Sequence, residues 1–370
     1  MRTKILTLIA ALLCSTTMLA VDYDYYYQEI CYNLNAETQT AEVTYMAYNT
    51  YWHDYNVGRG IKTADIPETV TSGDVTYTVT SIGDHAFENC QKLTSVTIPN
   101  TVTSIGLYAF SRCEVLSEIS IPNSVITIGD CAFSKCSGVD TESQPGTTIY
   151  TGLTTANIGS GVTSIGSGVF DDCSILTAIN VSNGNLNFSS QEGVLFSKYK
   201  KVLITYPCGK EGSYTVPSTV TTIKGHAFDS CSKLTGVNIP LNVTEIGDYA
   251  FYNCYNLPKE DGLRYAGTYL VEVSSNKTSY SIREGTRWIG TSAFRNNTTI
   301  TDVVIPNSVT TICTYAFYGC TSLSRVSIPD KVTTIGSNAF RNVPEIMYFG
   351  TATGGPWGAK SWIGGNEKEV

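Results

Sequence analysis

A ten-residue phrase, SIGDHAFENC at positions 81–90, returns as SIGLYAFSRC at 104–113 and TIGDCAFSKC at 127–136. Weaker copies follow as far as TIGSNAFRNV at 334–343, and the rings of the series are Phe87, Phe110, Phe133, Phe170, Phe228, Phe251, Phe294, Phe317 and Phe340. Successive rings are 23, 23, 37, 58, 23, 43, 23 and 23 residues apart. The three longer intervals equal one period of 23 plus 14, 35 and 20 residues, so they read as a repeat carrying an insertion. A unit this short cannot bury its own apolar face, whereas stacked copies can.

One period runs Leu93-x-x-Val96-x-Ile98-Pro99-x-x-Val102-x-x-Ile105-Gly106-x-x-Ala109-Phe110-x-x-Cys113. Val96 and Ile98 alternate as on a strand with one face inward. Pro99 has no N–H to give a ladder and ends that strand. Val102 and Ile105 add inward side chains on a loose turn. Gly106 is expected to supply backbone angles that other residues resist. Ala109-Phe110-x-x-Cys113 predicts a single helical or 3₁₀-like turn pointing back inward. The predicted fold is an α/β solenoid, a right-handed leucine-rich-repeat superhelix with one short parallel strand per 23-residue repeat and small β caps at the ends. Nine coils at ~4.8 Å per stacked strand give a body of roughly 45 Å.

These residues, in phase over about 81–343, resemble the 23-residue repeat of the Treponema-pallidum-type leucine-rich repeats found in BspA-like surface proteins. The resemblance implies a bacterial or protist cell-surface protein that adheres to host matrix proteins or to other cells, and it implies no catalytic residues. The departures from the pattern are Asn297 and Val343 at the cysteine slot, Lys224 and Cys313 near the glycine slot, and Arg283 where proline is usual.

Around the repeats, residues 1–20 read as an export signal: Arg2 and Lys4 precede an apolar run over 5–13 that is too short to span a bilayer, with Ala20 as the cleavage point. Lipid attachment through Cys14 is the alternative, against which the bulky Leu13 argues. Residues 21–80 form an expected N-terminal β cap containing nine tyrosines between Tyr23 and Tyr55, together with Trp52. These rings serve either as a binding surface or as cross-strand pairs. Residues 344–370 are expected to cap the other end, with Met347-Tyr348-Phe349 and Pro356-Trp357 over the last coil. Insertions fall near 139–152, read as a polar loop, near 183–210, read as a hairpin around Tyr199, and near 258–277, read as a similar pair around Tyr265. They are either recognition elements or closures of a coil's flank.

Net charge is −8, and no basic block could neutralise the phosphates of a nucleic acid. No segment is long enough for a transmembrane helix. Seven cysteines, from Cys90 to Cys320, stand three residues after a repeat ring, so they read as packed thiols in place of a disulfide scaffold, with an occasional bond between neighbouring coils left open. His53, His85 and His226 are the only histidines, and His85 and His226 are separated by at least four coils. Zinc motifs, a phosphate loop, a nucleophile elbow and EF-hand spacing are all absent, so no catalytic, metal or cofactor site is expected. The expectation is an exported binding protein at the cell surface, in the extracellular space or in the periplasm, whose partner is an extracellular protein or a cell-surface glycan. A self-assembling envelope component is the alternative. The candidate surface is the outward face of the strands, Ser95, Thr97, Glu118, Asn180, Asn238, Asp302 and Arg325, with Ser120 and Ser327 beside them. Tyr199 and Tyr265 on the insertions complete it.

Overall fold

The computed structural model describes residues 25–27, 30–44, 60–140 and 148–364. The export signal with Cys14, most of the tyrosines between Tyr23 and Tyr55, Trp52 and His53 lie outside the described residues. The chain divides into two compact units, Met1–Cys173 with Val181–Leu186, and Ser174–Asn180 with Asn187–Val370.

In the first unit the repeats stack along three lines of backbone hydrogen bonds. In one line Thr63–Asp65 runs parallel to Ser95–Thr97, and Glu118–Ile121 runs parallel to Thr155–Ile158. In the second, Val75–Ile82, Ser104–Ile105, Thr127–Ile128 and Ser164–Ile165 stack in that order, with Ile82, Ile105, Ile128 and Ile165 in register. The third line passes through the turn that holds the ring. Phe87 N–H donates to Ala109 O at 2.7 Å and Phe110 N–H to Ala132 O at 2.7 Å. The intervening N–H groups close turns within their own coil, as Cys90 N–H does on Phe87 O at 3.1 Å. Alternate donors thus point to the next coil and to the same coil, and the buried backbone is satisfied in both directions.

Three sequence expectations change here. Among the described residues there is no helix, and the segment from Ala109 to Cys113 is a succession of turns. The cause lies at Tyr108 and Arg112, which adopt φ 51° and 61°. The same two slots are left-handed in neighbouring repeats, as at His85, Asn89, Cys131 and Lys135, and a left-handed residue every fourth position ends any helix. Each repeat also carries two short strands in separate ladders, because the loose turn through Ile105 straightens enough to pair. Finally, Gly106 does not lie at positive φ. A Cβ there would meet Asp84 N and Gly83 C at 2.6 Å, and one on Gly129 would meet Gly106 C at 2.6 Å. Glycine fills this slot because successive backbones touch there.

The side chains inside follow from this spacing. Phe87, Phe110, Phe133 and Phe170 form one column with ring centroids 5.0, 5.2 and 5.8 Å apart and interplanar angles of 9°, 4° and 14°. Leu93, Val102, Ile105 and Cys113 of one period are all buried around it. Pro99 ends its strand and its carbonyl accepts Val102 N–H at 3.1 Å, a turn that recurs at Pro122.

The second unit repeats the plan. Val202–Thr205, Thr222–Ile223 and Glu245–Ile246 form one parallel ladder, and Tyr269–Val273, Trp288–Ile289, Thr311–Ile312 and Thr334–Ile335 form another. Phe228 and Phe251 stack at 4.8 Å, Phe294 and Phe317 at 4.7 Å, and Phe317 and Phe340 at 5.3 Å. Tyr206 stacks on Phe228 at 5.0 Å and donates its N–H to Ala227 O, so the 183–210 segment contains a degenerate coil with tyrosine in the ring slot. The odd slots are accommodated locally. Cys313 lies between two glycines of its lane, Gly290 and Gly336, and Arg283 keeps the turn because only its carbonyl is needed, accepting Thr286 N–H.

The insertions form strands. Within 183–210, Phe188–Gln191, Val194–Ser197 and Val202–Thr205 pair in sequence, the last also belonging to the parallel ladder. Within 258–277, Leu263–Ala266 pairs antiparallel with Tyr269–Val273 around Gly267, at φ 56°. The polar loop expected near 139–152 is instead a pair, Ser137–Asp140 with Ile149–Gly152, whose connecting residues lie outside the described ones. Its β-branched and aromatic residues favour extended pairing over an open loop. Towards the N-terminus Tyr25–Tyr27, Ile30–Asn35 and Thr40–Thr44 form an antiparallel set, and Thr40–Thr44 lies parallel to Val75–Ile82. At the other end Phe340 N–H donates to Trp357 O at 3.1 Å, and Trp357 is buried while Phe349 is exposed.

Truncating one ring of a column leaves a void between two others. Phe133→Ala is expected to cost about 3–5 kcal/mol of stability, and Gly129→Ala to destabilise by forcing apart two backbones. Chemical denaturation of the full chain, with Tyr199→Ala as a surface control, checks both; a midpoint for Phe133→Ala equal to that of the control would refute the packing role of the column.

Candidate recognition surface

The strand face of the first unit alternates as a half-buried sheet must. Ile119 and Ile121 point inward while Glu118 and Ser120 are exposed, and Ser95 and Thr97 are exposed on the preceding coil. Register places Thr63 beside Ser95, Asp65 beside Thr97, Thr155 beside Glu118 and Asn157 beside Ser120. Asn157 Nδ2 donates to Glu118 Oε1 at 2.7 Å and to Ser120 Oγ at 3.3 Å. These outward side chains are therefore joined across coils, which fixes their directions.

In the second unit Asn180, Asn238 and Asp302 are exposed on their strands. Thr215 is the neighbour of Asn238, and Ser279 Oγ donates to Asp302 Oδ2 at 3.4 Å. Arg325 is exposed and ion-paired to Glu345, with Ser327 exposed on the adjoining strand. Arg283 reaches Glu260 at 3.0 Å. Pairs of this exposed kind contribute about 0–1 kcal/mol each to stability, so their main effect is to order the surface. Val304 interrupts the polar face, being 54 % exposed in the slot that holds Thr97 in the first unit.

Of the two insertion tyrosines, Tyr199 stands at its hairpin tip and is 82 % exposed. Tyr265 does not belong to the surface: it is 1 % exposed. Its strand, Leu263–Ala266, is buried throughout, the Arg283 guanidinium lies 4.0 Å from its ring centroid, and its hydroxyl accepts Arg283 N–H at 3.3 Å. The strands of this hairpin lie inside the stack. The same segment holds a buried arginine, Arg264, whose Nε donates to Glu272 Oε1 at 2.9 Å and whose NH1 donates to the carbonyls of Tyr255 and Leu257.

Two further features lie in the repeat phrase itself. In the slots two before and one after the ring, DYAFYNC and TYAFYGC carry tyrosines. Tyr249 and Tyr252 meet edge-on at 5.6 Å, as do Tyr315 and Tyr318. Arg295 lies 5.5 Å from the Tyr315 ring and 5.4 Å from Tyr318, and Arg341 lies 5.8 Å from Tyr318. The left-handed backbone at Tyr249 and Tyr315 turns these side chains out of the core. In the first unit the same slot puts His85 over Tyr108 at 5.3 Å, with His85 Nδ1 2.7 Å from Glu88 Oε2. The glycine lane of that unit, having no side chains, leaves an open furrow of about 530 Å³ edged by Ser104, Thr127 and Ser164 and by Asp84 and Asp130. Both aspartates accept a backbone N–H of the next coil at 2.7 Å, Asp84 from Leu107 and Asp130 from Ser167. A second cleft of about 600 Å³, in the second unit, is lined by Glu272, Ser275, Asn276, Arg295 and Asn297. The signal for these features was in the phrase, as the recurring Ile-Gly-Asp and Tyr-Ala-Phe-Tyr.

The cysteines that follow a ring by three residues point away from all of these surfaces, whereas Cys131, in the slot of His85 and Tyr108, is half-buried. Cys113 Sγ donates to Phe87 O at 3.3 Å, Cys136 to Phe110 O and Cys173 to Phe133 O at 3.1 Å, and in the second unit Cys254 to Phe228 O at 2.9 Å and Cys320 to Phe294 O at 3.1 Å. Burial pushes the Cys136 and Cys173 thiols well above their usual range and the Cys320 thiol up to about 12. Thiols held protonated in this way are inert as nucleophiles.

A sequence profile described as the BspA type leucine rich repeat region, in six copies, matches residues 67–152, 149–257, 206–295 and 256–347. The chain belongs to the BspA-type leucine-rich-repeat family. No curated protein matches it. Among solved structures it is similar to a leucine-rich repeat protein from Eubacterium ventriosum, with 25% identity, a TM-score of 0.49, and 86% of this chain and 93% of that one covered. It is also similar to the pneumococcal vaccine antigen PcpA, with 21% identity, a TM-score of 0.42, and 89% and 82% covered. A third is the T. pallidum leucine rich repeat protein, with 16% identity, a TM-score of 0.29, and 86% and 88% covered.

The buried thiols make stability pH-dependent with a definite sign. Their folded pKa values are raised, so the unfolded chain releases protons first. Their contribution is complete below the ordinary thiol value of 9.0 and is lost as pH rises from there towards about 12. Buried phenols such as Tyr206 and Tyr269, also raised by burial, act in the same direction. The denaturation midpoint is expected to fall as pH rises from 9.0 towards about 12, and to fall less steeply in Cys320→Ala; a midpoint rising over that interval would contradict the assignment.

Proposed function

We propose that this is an exported, non-catalytic binding protein that recognises an extracellular protein or a cell-surface glycan through its strand faces and the Tyr199 hairpin. One observation carries the reading: the outward slots of successive coils, Glu118, Ser120 and Asn157 above all, are exposed or half-buried, hydrogen-bonded to one another and repeated at the spacing of the stack. Such a face presents many weak polar contacts in a fixed array, which suits a large partner better than a small substrate. Family membership supports a recognition role, since stacked repeats of this kind expose extended binding surfaces. The thiols that follow the ring residues are turned inward, and the exposed polar groups of the strand faces hydrogen-bond and ion-pair with one another. The reading of export rests on Arg2, Lys4, the apolar run after them and Ala20.

The test is direct binding of the purified chain to a panel of extracellular-matrix proteins, whole neighbouring cells and glycans. Tyr199→Ala and Glu118→Ala are each expected to leave the thermal midpoint within a degree or two and at least one of them to weaken binding about tenfold, as loss of a central contact does. Absence of binding across the panel, or binding unaffected by both substitutions and by removal of the hairpin, would overturn the proposal.

A further inference from the structure

The cysteine at one coil of the second unit breaks the rule that the others keep. Cys254 and Cys320 each donate to the ring residue of the preceding coil, at 2.9 and 3.1 Å. Cys231 should do the same towards Tyr206, which occupies the ring slot before it, but its Sγ is 3.7 Å from Tyr206 O. It lies instead 2.6 Å from Cys208 Sγ. Two sulfurs at that separation are well inside nonbonded contact and only about half an ångström outside the ~2.05 Å bond. Cys208 reaches this point because it follows its ring by two residues, where the repeat cysteines follow by three. Its neighbours hold it there: Gly209 N–H donates to Leu176 O at 2.7 Å, and a Cβ on Gly209 would meet Ile175 C at 2.4 Å. Both cysteines are buried, at 6 % and 0 % exposure, in the core that contains Phe196, Phe228 and Phe251.

We propose that Cys208 and Cys231 form a disulfide in the mature protein, a covalent cross-link between two neighbouring coils. This rests on the reading of export, since the bond needs a compartment that supplies a disulfide donor. The chemistry balances with a donor disulfide R–S–S–R. The Cys208 thiolate, the more accessible of the two, attacks one donor sulfur, forming Cys208–S–S–R and releasing one R–S⁻. Cys231, as its thiolate and before the folding core closes over it, then attacks Cys208 Sγ and expels the second R–S⁻. Two protein thiols are oxidised by two electrons, one donor disulfide is reduced to two thiols, and the two protons pass to the released thiolates. The bond ties the degenerate coil, which carries the Tyr199 hairpin on the strand just before Tyr206, to the regular coil that follows. It stands where the thiol-to-carbonyl hydrogen bond of the other coils is stretched to 3.7 Å.

The experiment uses the full chain in vitro and so does not depend on whether export occurs. Unfolded, reduced protein is refolded to equilibrium in mixtures of reduced and oxidised glutathione, free thiols are blocked by alkylation, and the digest is read by mass spectrometry. The expected result is one dominant cross-linked peptide joining Cys208 to Cys231, absent from Cys208→Ala, with Cys113, Cys136 and Cys173 recovered alkylated after unfolding. The wild-type thermal midpoint is expected to drop by several degrees on addition of reductant, and that of Cys208→Ala to be unmoved. Recovery of Cys208 and Cys231 as alkylated thiols at oxidising ratios, or a dominant bond between any other pair, would overturn the proposal. Formation of the bond in vitro together with retention of the protein inside cells would instead fault the reading of export alone.

Discussion

Phe87 N–H to Ala109 O, Phe110 N–H to Ala132 O and Phe133 N–H to Val169 O are bonds of 2.7, 2.7 and 2.9 Å, and they hold neighbouring backbones at one separation. The remaining features follow from that separation. It is close enough for planar rings to stack nearly parallel, so the ring slot takes phenylalanine. It brings successive backbones into contact at the glycine lane, where a Cβ has no room. It leaves the carbonyl of each ring residue within reach of a thiol one coil on, so a cysteine there is both packed and hydrogen-bonded. Composition is thus set by a backbone distance, and the recurring residues are the ones that tolerate it.

The repeat made much of this legible. Phenylalanines in phase at a fixed interval predicted stacking, and they stack. Proline after the alternating pair predicted a strand end, and the strand ends there. What the residues did not reveal was backbone conformation. A phrase such as Tyr108-Ala109-Phe110 reads equally as a helical turn, because the residues that favour left-handed angles stand in other copies, at Asn89, Asn253, Asn296, Gly319 and Asn342, while Tyr108 and Arg112 take the same angles between their neighbouring coils. The glycine lane was found for the wrong reason: Gly106 is needed for approach and not for its dihedral angles. Tyr265 was misplaced because a hairpin within an insertion reads equally as a recognition element or as the closure of a coil's flank, and its strands enter the stack. Tyr206 was missed as a ring residue because its cysteine follows two positions later, out of the pattern.

The candidate surface was legible in part for the same reason. Alternation on a strand decides which side chains face out, so Ser95, Thr97 and Glu118 could be placed from the sequence. Their links across coils, such as Asn157 to Glu118, depend on register between repeats separated by an insertion. The tyrosine–arginine groups beside the ring slot were visible as letters, yet only the left-handed backbone shows that they leave the core.

The left-handed residues carry one more consequence. His85, Asn89, Tyr108, Arg112, Cys131 and Lys135 all hold an angle that an ordinary side chain resists, at roughly 1–2 kcal/mol for each. A lone coil has nothing to offset this, so the conformation exists only between two neighbours that supply its bonds. The molecule should therefore lose structure by peeling from its ends, and a new coil can form only upon one already in place. Growth and fraying share one template, the exposed edge of the last completed turn.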